Sequence, residues 1–367
     1  MTAIYLRDIL DPKKNNLTLL RLLAALAVVI SHAAFLRTGN RADEIFSTAG
    51  AYNLGGHAVN VFFVISGLTV AASLERSQSA VQFLSARLIR VLPGLIVCSA
   101  MLVAMGIVAT NCTPVEYLTD ARVWKYFFKT VSLSTGSAEL PGVFSGNPYP
   151  AVVNASLWTL KFEMFCYILL ALAGALNLFK RAFLTWLLPV AFLLASAFLI
   201  YRFGSQGDQF EQFARFWLCF SLGVGMFVFR NNITISWCLG FFLAALMVVA
   251  LGTAWDRVIS PVAVGYSAIL LSSIPLSGLR SFTNKVDLSY GVYIFGWPIS
   301  QTLLHTMPGM STLSLIFASC GLAMSGAVLS WNLVEKPALS RRHKIMSFSR
   351  DLIIASRARL SRRNAMA

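Results

Sequence analysis

The chain alternates between long apolar runs and short segments rich in polar and basic residues. Windows of about 20 apolar residues, the length that crosses a bilayer as a helix, recur ten times. They cover residues 17–36, 56–74, 91–110, 157–178, 183–201, 213–229, 234–254, 258–277, 288–305 and 312–333. This pattern predicts an all-α, polytopic integral membrane protein with about ten transmembrane helices in one bundle.

Composition supports this class. Of the 367 residues, 57% are hydrophobic and only 12% are charged, whereas a soluble chain has roughly a quarter charged residues. Residues 1–336 are predicted to form one transmembrane domain, and residues 337–367 a basic cytoplasmic tail. The polar start precedes a full-length span, so no cleavable signal peptide is expected. The six cysteines are scattered, and they predict neither a disulfide framework nor a metal site.

The net charge of +15 comes from Lys and Arg in short loops and in the tail, not from a folded basic surface. Counted over alternate loops, 20 of these residues lie on the side that holds both termini and 7 lie on the other side. The positive-inside rule then places both termini in the cytoplasm. We therefore expect a multi-pass membrane protein, with the lipid bilayer and no nucleic acid as a partner.

Arg21 and His32 lie inside the first apolar run, LTLLRLLAALAVVISHAAFL. Charged and titratable groups at membrane depth are costly and mark function by default. Their spacing of eleven residues puts them on one helix face, about 16 Å apart along the axis. The pair predicts a site entered from both sides of the membrane. The alternative is that Arg21 snorkels to the headgroups and that His32 lies at headgroup level.

Arg87 and Arg90 lie at the start of the third span, in FLSARLIRVLP. A spacing of three puts both guanidinium groups on one helix face, where they could grip a phosphate. The alternative is a positive-inside anchor. The string WNLVEKP ends the last span and predicts an interfacial ion pair between Glu335 and Lys336.

Glu163 lies in NASLWTLKFEMFCYILL, where the fourth span begins. If this helix starts at the outer surface, Glu163 is about 9 Å below that surface. His32 reaches a similar depth near the outer end of its own helix. We therefore expect the two side chains to meet, with Glu163 orienting the imidazole. The alternative is a carboxylate that remains solvated at a short helix end.

Four further residues are candidates for binding a substrate near the outer face. His57 and Asn60 begin the second span, in GGHAVNVFFVISG. Ser156 shares nearly the same helix face as Glu163, and Trp158 is an aromatic residue of the type found at the membrane interface. The connection over residues 111–156 holds four prolines, and a connection of that length is more often functional than a plain linker.

Six strings together resemble the acyltransferase family 3 membrane proteins, which O-acylate cell-surface polysaccharides and related glycans. They occur in the family's order and cover nearly the whole chain. The strings are Arg21-x10-His32, FFVISG at 62–67, Arg87-x-x-Arg90 followed by Pro93, SLWTLKFE at 156–163, SYGVYIFGWP at 289–298 and WNLVEKP at 331–337.

The resemblance implies that a ten-helix bundle takes an acyl group, usually acetyl, from cytoplasmic acyl-CoA and delivers it to a glycan hydroxyl. Acyl-CoA is then a donor substrate, and no bound cofactor is expected. His32 matches the family's proposed catalytic histidine, and Arg21 matches its partner arginine. Arg87 and Arg90 match the pair thought to contact CoA, and Glu163 matches the acidic residue of the fourth-span motif.

The ninth-span string departs from the family pattern. The family commonly has a histidine two residues before the proline, whereas Gly296 stands there in this chain, before Trp297 and Pro298. The departure removes a polar group from this region. With His32 as general base the sequence predicts a membrane O-acyltransferase, and an acyl-histidine intermediate stays open. The competing hypotheses are a transporter or flippase for a glycan precursor or small anion, and a scaffold that binds anionic lipid through its tail.

Overall fold

The computed structural model of the chain is a bundle of helices. It describes residues 4–11, 14–47, 49–77, 79–134, 139–178, 182–203 and 209–342. Most of the predicted basic tail, residues 343–367, lies outside the described residues.

Fifteen α-helices and two short strands make up the described chain. The helices are α1 Leu6–Ile9, α2 Leu17–Thr38, α3 Leu54–Glu75, α4 Ala80–Ala109, α5 Pro114–Thr119, α6 Ala121–Val131, α7 Leu160–Ala175, α8 Ala182–Phe203, α9 Gln209–Val228, α10 Trp237–Ala250, α11 Asp256–Ser272, α12 Ser277–Thr283, α13 Ser289–Thr306, α14 Thr312–Ser330 and α15 Lys336–Ser340. A π-helical turn, Trp331–Glu335, joins α14 to α15. Strands β1 Ile4–Tyr5 and β2 Thr234–Ile235 form one antiparallel pair.

Each of the ten predicted apolar windows coincides with a helix of the structure. Five helical segments in the described residues are long and apolar enough to cross a membrane. These are Leu17–Thr38, Leu54–Glu75, Ala80–Ala109, Ser156–Ala175 and Thr312–Ser340. The helical class is therefore confirmed, and the number of about ten spans stays a prediction.

The first two long helices, α2 and α3, run antiparallel. Gly55 at the start of α3 packs against Ser31 near the end of α2, and a Cβ atom on Gly55 would lie 3.2 Å from the Ser31 Oγ. We call the end of the bundle at which α2 begins the proximal end, and the end at which it finishes the distal end.

Helices α3 and α9 pack with their backbones in contact. A Cβ atom on Gly67 would lie 2.1 Å from the carbonyl oxygen of Phe220, and one on Gly223 would lie 2.1 Å from that of Val64. Small residues permit such close approach between membrane helices. This contact fixes α9 beside α3 through the centre of the bundle.

The segment before α7 enters the bundle in a largely non-helical conformation. Its side chains and carbonyls bond to successive turns of α13, in the order Asn147 with Gln301, Val152 with Trp297, Asn154 with Ile294 and Ser156 with Tyr293. Eight residues of helix separate Gln301 from Tyr293, so the segment descends by about 12 Å. Helix α7 therefore begins inside the bundle and not at its distal surface.

Candidate active site

A narrow cavity lies between α2, α3, α7 and α13. Arg21, Ser66 and Glu163 supply polar groups to its wall, and Val59 and Phe63 of α3 supply apolar ones. Val59 lies about two turns nearer the distal end than Ser66. The cavity therefore changes from polar to apolar along the bundle axis.

Glu163 lies in the proximal half of the bundle. Its carboxylate accepts hydrogen bonds from the Tyr167 hydroxyl and from the Ser66 hydroxyl, the latter at 3.4 Å. Ser66 follows Gly55 by eleven residues, so it lies about 16 Å from the level of Ser31. Arg21 lies about 15 Å from that same level. Glu163 and Arg21 are therefore at one depth.

His32 and Glu163 do not meet, which corrects the prediction that they form a pair. His32 is at the level of Ser31, about 16 Å distal to Glu163. Its ring lies edge-to-face against Trp297 of α13, with the centroids 4.9 Å apart. The Nδ1 atom is buried and has no hydrogen-bond partner among the described residues. The sequence prediction failed because it assumed that the fourth span starts at the outer surface.

Arg21 and His32 do share one face of α2, as their spacing predicted. His32 contacts Trp297 of α13, and Arg21 lies 3.5 Å from the carboxylate of Asp287, just before α13. Arg21 also lines the cavity wall. The face that carries both residues is thus turned towards α13 and the cavity.

Arg90 is held by two carboxylates at the proximal end. Its Nη2 atom lies 2.6 Å from Asp287 and its Nη1 atom lies 2.8 Å from Glu335. Burial disfavours the charge on Asp287, which lies in the loop before α13, but Arg90 and Arg21 outweigh it and hold its pKa at about 2. Glu335 therefore pairs with Arg90, and not with Lys336 as the sequence had predicted.

Arg87 points away from Arg90. Its Nη2 atom donates a hydrogen bond of 3.2 Å to the Ser73 hydroxyl of α3. Its Nε atom is buried and has no partner in the part of the chain that the structure describes. Helix α4 begins at Ala80, so both arginines lie inside the helix and not at its start. The structure does not bring the two guanidinium groups together as one phosphate clamp, and it leaves Arg87 without an ion pair among the described residues.

The four candidate substrate residues lie at two different levels. His57 Nδ1 and both amide atoms of Asn60 are buried without hydrogen-bond partners in the described chain, and both residues are near the distal end of α3. Ser156 lies deeper, beside Tyr293, and its Oγ atom likewise has no partner there. The Trp158 ring packs against Phe216 of α9 with centroids 5.4 Å apart.

Sequence reasoning missed Asp287 and Tyr167. Asp287 is one of only 15 acidic residues in the chain, and that scarcity beside an apolar span was the available signal. Tyr167 lies four residues after Glu163, and that spacing brings both side chains to the same helix face. Both residues bond to groups that the sequence had already singled out.

The packing of α13 against α2 explains why glycine occupies position 296. A Cβ atom there would lie 2.3 Å from Cγ2 of Val29 on α2. With Val29 in its present position, α2 leaves no room for a side chain at residue 296. The departure from the family pattern reflects tight packing one residue before Trp297.

The geometry defines a helical, membrane-embedded site with a partly polar cavity and a buried histidine whose Nδ1 atom has no partner among the described residues. A sequence model described as an acyltransferase domain, that of acyltransferase family 3, matches residues 14–332. The chain belongs to this family and is an acyltransferase.

Two characterised proteins resemble the chain along nearly all of its length. An O-acetyl transferase of Shigella phage Sf6 is 29% identical over 339 residues, covering 90% of this chain and 97% of that protein. Nodulation protein 10 of Rhizobium leguminosarum bv. viciae is 28% identical over 376 residues, covering 91% and 95%. No solved structure matches the chain.

Proposed function

We propose that the protein moves an acyl group, most often acetyl, from cytoplasmic acyl-CoA to a hydroxyl of an extracytoplasmic or lipid-linked glycan. The proximal end then faces the cytoplasm of a bacterial inner membrane, with both termini on that side. The cavity carries this proposal, because it lies between the proximal arginines and the level of His32. The similarity to an O-acetyl transferase supports acetyl as the group transferred.

The donor binds through its phosphates at the proximal end. Arg87 offers a partly buried guanidinium with no ion pair among the described residues, and Arg21 lines the cavity nearby. Arg90 shapes this entrance through its bonds to Asp287 and Glu335. The pantetheine arm then extends through the cavity, past Glu163, and brings the thioester towards His32.

His32 acts as the general base. Its imidazole takes the proton from the acceptor hydroxyl while the hydroxyl oxygen attacks the thioester carbonyl. The carbon–sulfur bond then breaks, the acyl group stays on the acceptor oxygen, and the sulfur leaves as the thiol of CoA after taking up the proton. The perpendicular contact with the Trp297 ring holds the imidazole in place. Glu163 acts lower in the cavity, where with Ser66 it forms a polar part of the wall around the donor arm, and the Tyr167 hydroxyl donates a hydrogen bond to its carboxylate.

The test uses cells that make the protein from its gene and cells that carry His32→Ala, compared at equal protein levels. Mass spectrometry and NMR of the surface glycans should show acyl groups with the wild type and none with His32→Ala. The glycans without acyl groups, taken from the His32→Ala cells, are then added to purified wild-type protein in nanodiscs. With acetyl-CoA present, the protein should release the CoA thiol. Full glycan acylation by the His32→Ala variant would overturn the role of His32. Glycan movement without thiol release would support a transporter instead.

A further inference from the structure

A group of buried polar atoms without partners surrounds the paired glycines at the distal start of α3. Ser31 on α2 and Arg215 on α9 lie next to these glycines. A Cβ atom on Gly55 would lie 3.2 Å from the Ser31 Oγ, and one on Gly56 would lie 3.3 Å from Nη1 of Arg215. Ser31 is fully buried and Arg215 is 4% exposed. The Ser31 Oγ and the Arg215 Nε have no hydrogen-bond partner among the described residues.

Asn60 lies close to this group, in the seam where α3 packs against α9. Gly56, Phe63 and Gly67 all contact α9, since Gly56 meets Arg215, Phe63 stacks on Phe216, and Gly67 meets Phe220. Asn60 follows Gly56 by four residues and precedes Phe63 by three, so it lies on that stripe. It is fully buried, and neither amide atom finds a partner in the described chain.

The Arg215 guanidinium packs against two aromatic rings and has few hydrogen-bond partners. The carbon of its guanidinium lies 4.5 Å from the ring centroids of both Tyr52 and Phe216. Its Nη2 atom donates to Gln212, and the guanidinium makes no ion pair within the described ranges. Glu211, the nearby buried carboxylate, accepts a hydrogen bond from the Tyr52 hydroxyl at 2.8 Å. The rings therefore lie against the guanidinium, while its Nε–H has no acceptor among the described residues.

Such an arrangement is costly unless a ligand completes it. Each buried polar group without a hydrogen bond destabilises a folded protein, and native proteins leave few such groups. Here a hydroxyl of α2, an amide of α3 and a guanidinium of α9 lie around the distal turns of α3, and two aromatic rings lie against the guanidinium. Mixed donors and acceptors beside aromatic rings are what a small polar ligand needs. A sugar ring, with hydroxyls that both donate and accept, has the matching chemistry.

The seam also lies at the depth where the acceptor hydroxyl would meet His32. It is at the distal level of Ser31, the neighbour of His32 in the chain, and Phe63 belongs to both the seam and the cavity wall. We propose that Ser31, Asn60 and Arg215 form the subsite that binds a sugar unit of the acceptor. This inference rests on the proposed function, because it assigns the acceptor end of the same passage.

The test measures sugar binding without any donor. Wild-type protein in nanodiscs is mixed with methyl β-glucoside, methyl N-acetyl-β-glucosaminide or methyl β-glucuronide, and saturation-transfer NMR records binding. Ser31→Ala, Asn60→Leu and Arg215→Gln should each weaken the binding of the preferred glycoside by about tenfold, the effect of one or two lost hydrogen bonds. Arg122→Gln is the control, since Arg122 is an exposed residue paired with Asp120 away from the seam. Tighter binding of the glucuronide would show that the subsite prefers an acidic sugar. Tighter binding of either of the other glycosides would show that it prefers a neutral sugar.

A stability measurement separates this role from a structural one. Asn60→Leu removes an unpartnered buried amide, so its melting temperature should rise while its sugar binding falls. A variant that is more stable and binds as well as the wild type would overturn the subsite. Binding of none of the three glycosides by the wild type would also overturn it. Wild-type protein that binds a glycoside but releases no CoA thiol from acetyl-CoA would contradict the proposed function and leave the sugar subsite standing.

Discussion

Arg90 on α4 and Glu335 in the π-helical turn form an ion pair of 2.8 Å, and the carboxylate is only 2% exposed. A second ion pair joins Arg90 to Asp287 before α13. The Arg90 guanidinium thus links three segments that are distant in sequence: α4, the loop before α13 and the π-helical turn. Arg87, only three residues earlier, has no ion pair among the described residues. Two arginines of one sequence pattern therefore have different partners, two carboxylates for Arg90 and the Ser73 hydroxyl for Arg87.

Arg90→Gln should destabilise the protein strongly. It would leave the buried Glu335 and the partly buried Asp287 without their common cation, and breaking a buried pair by removing one partner costs about 3 kcal/mol or more. Denaturant unfolding of purified protein measures this loss. Arg87→Gln, which breaks only a hydrogen bond to Ser73, should cost about 1 kcal/mol or less. Equal losses for the two variants would contradict the division of roles.

Donor affinity should depend on Arg87. Arg87→Gln removes the guanidinium that we assign to the donor phosphates, and a charged hydrogen bond is worth about 2 kcal/mol, so the Kd for acetyl-CoA should rise by about tenfold or more. Isothermal titration in nanodiscs measures it. Arg76→Gln is the matched control, because Arg76 is an exposed arginine at the proximal end of α3. If the two variants bind acetyl-CoA equally well, Arg87 is not the phosphate ligand.

Asp287 should make stability depend on pH in acid. Arg90 and Arg21 outweigh the effect of burial and hold the Asp287 pKa at about 2, below its ordinary value of 3.8. The ionised carboxylate then stabilises the fold fully above pH 4, by about 2 kcal/mol, and this contribution is lost as the pH falls from about 4 to about 2. The unfolding free energy of Asp287→Asn should fall below that of the wild type at pH 7. The difference should shrink below pH 4, and a constant difference down to pH 2 would contradict the assignment.

The helices could be predicted from the sequence because each apolar window is a local pattern. The third apolar window begins at residue 91, whereas helix α4 begins at Ala80, because the segment that carries Arg87 and Arg90 falls outside an apolar window. Arg21 and His32 were placed on one face correctly, since both lie in a single regular helix.

The position of Glu163 could not be predicted, because it depends on the segment before α7. That segment bonds to α13 along four successive levels, from Gln301 down to Tyr293. Nothing in its local composition distinguishes such an inward path from an exterior loop. The ion pair of Asp287 and the packing of Arg215 on Tyr52 could not be predicted for a similar reason, since each contact joins residues more than 30 positions apart in the chain.

Gly67→Ala tests the contact that sets α9 against α3. The new Cβ atom would lie 2.1 Å from the carbonyl oxygen of Phe220, and a backbone atom cannot rotate away. The helices must separate, so the free energy of unfolding should fall by about 1–3 kcal/mol. Gly321→Ala in α14 is the matched control, because a Cβ atom there meets nothing within 4 Å, and alanine should stabilise that helix by up to about 1 kcal/mol. Both variants are compared by denaturant unfolding in the same lipid.

Since Ser66, the neighbour of Gly67, bonds to Glu163, Gly67→Ala should also lower acyl transfer. A Gly67→Ala variant as stable as the control would mean that α3 and α9 are not in backbone contact.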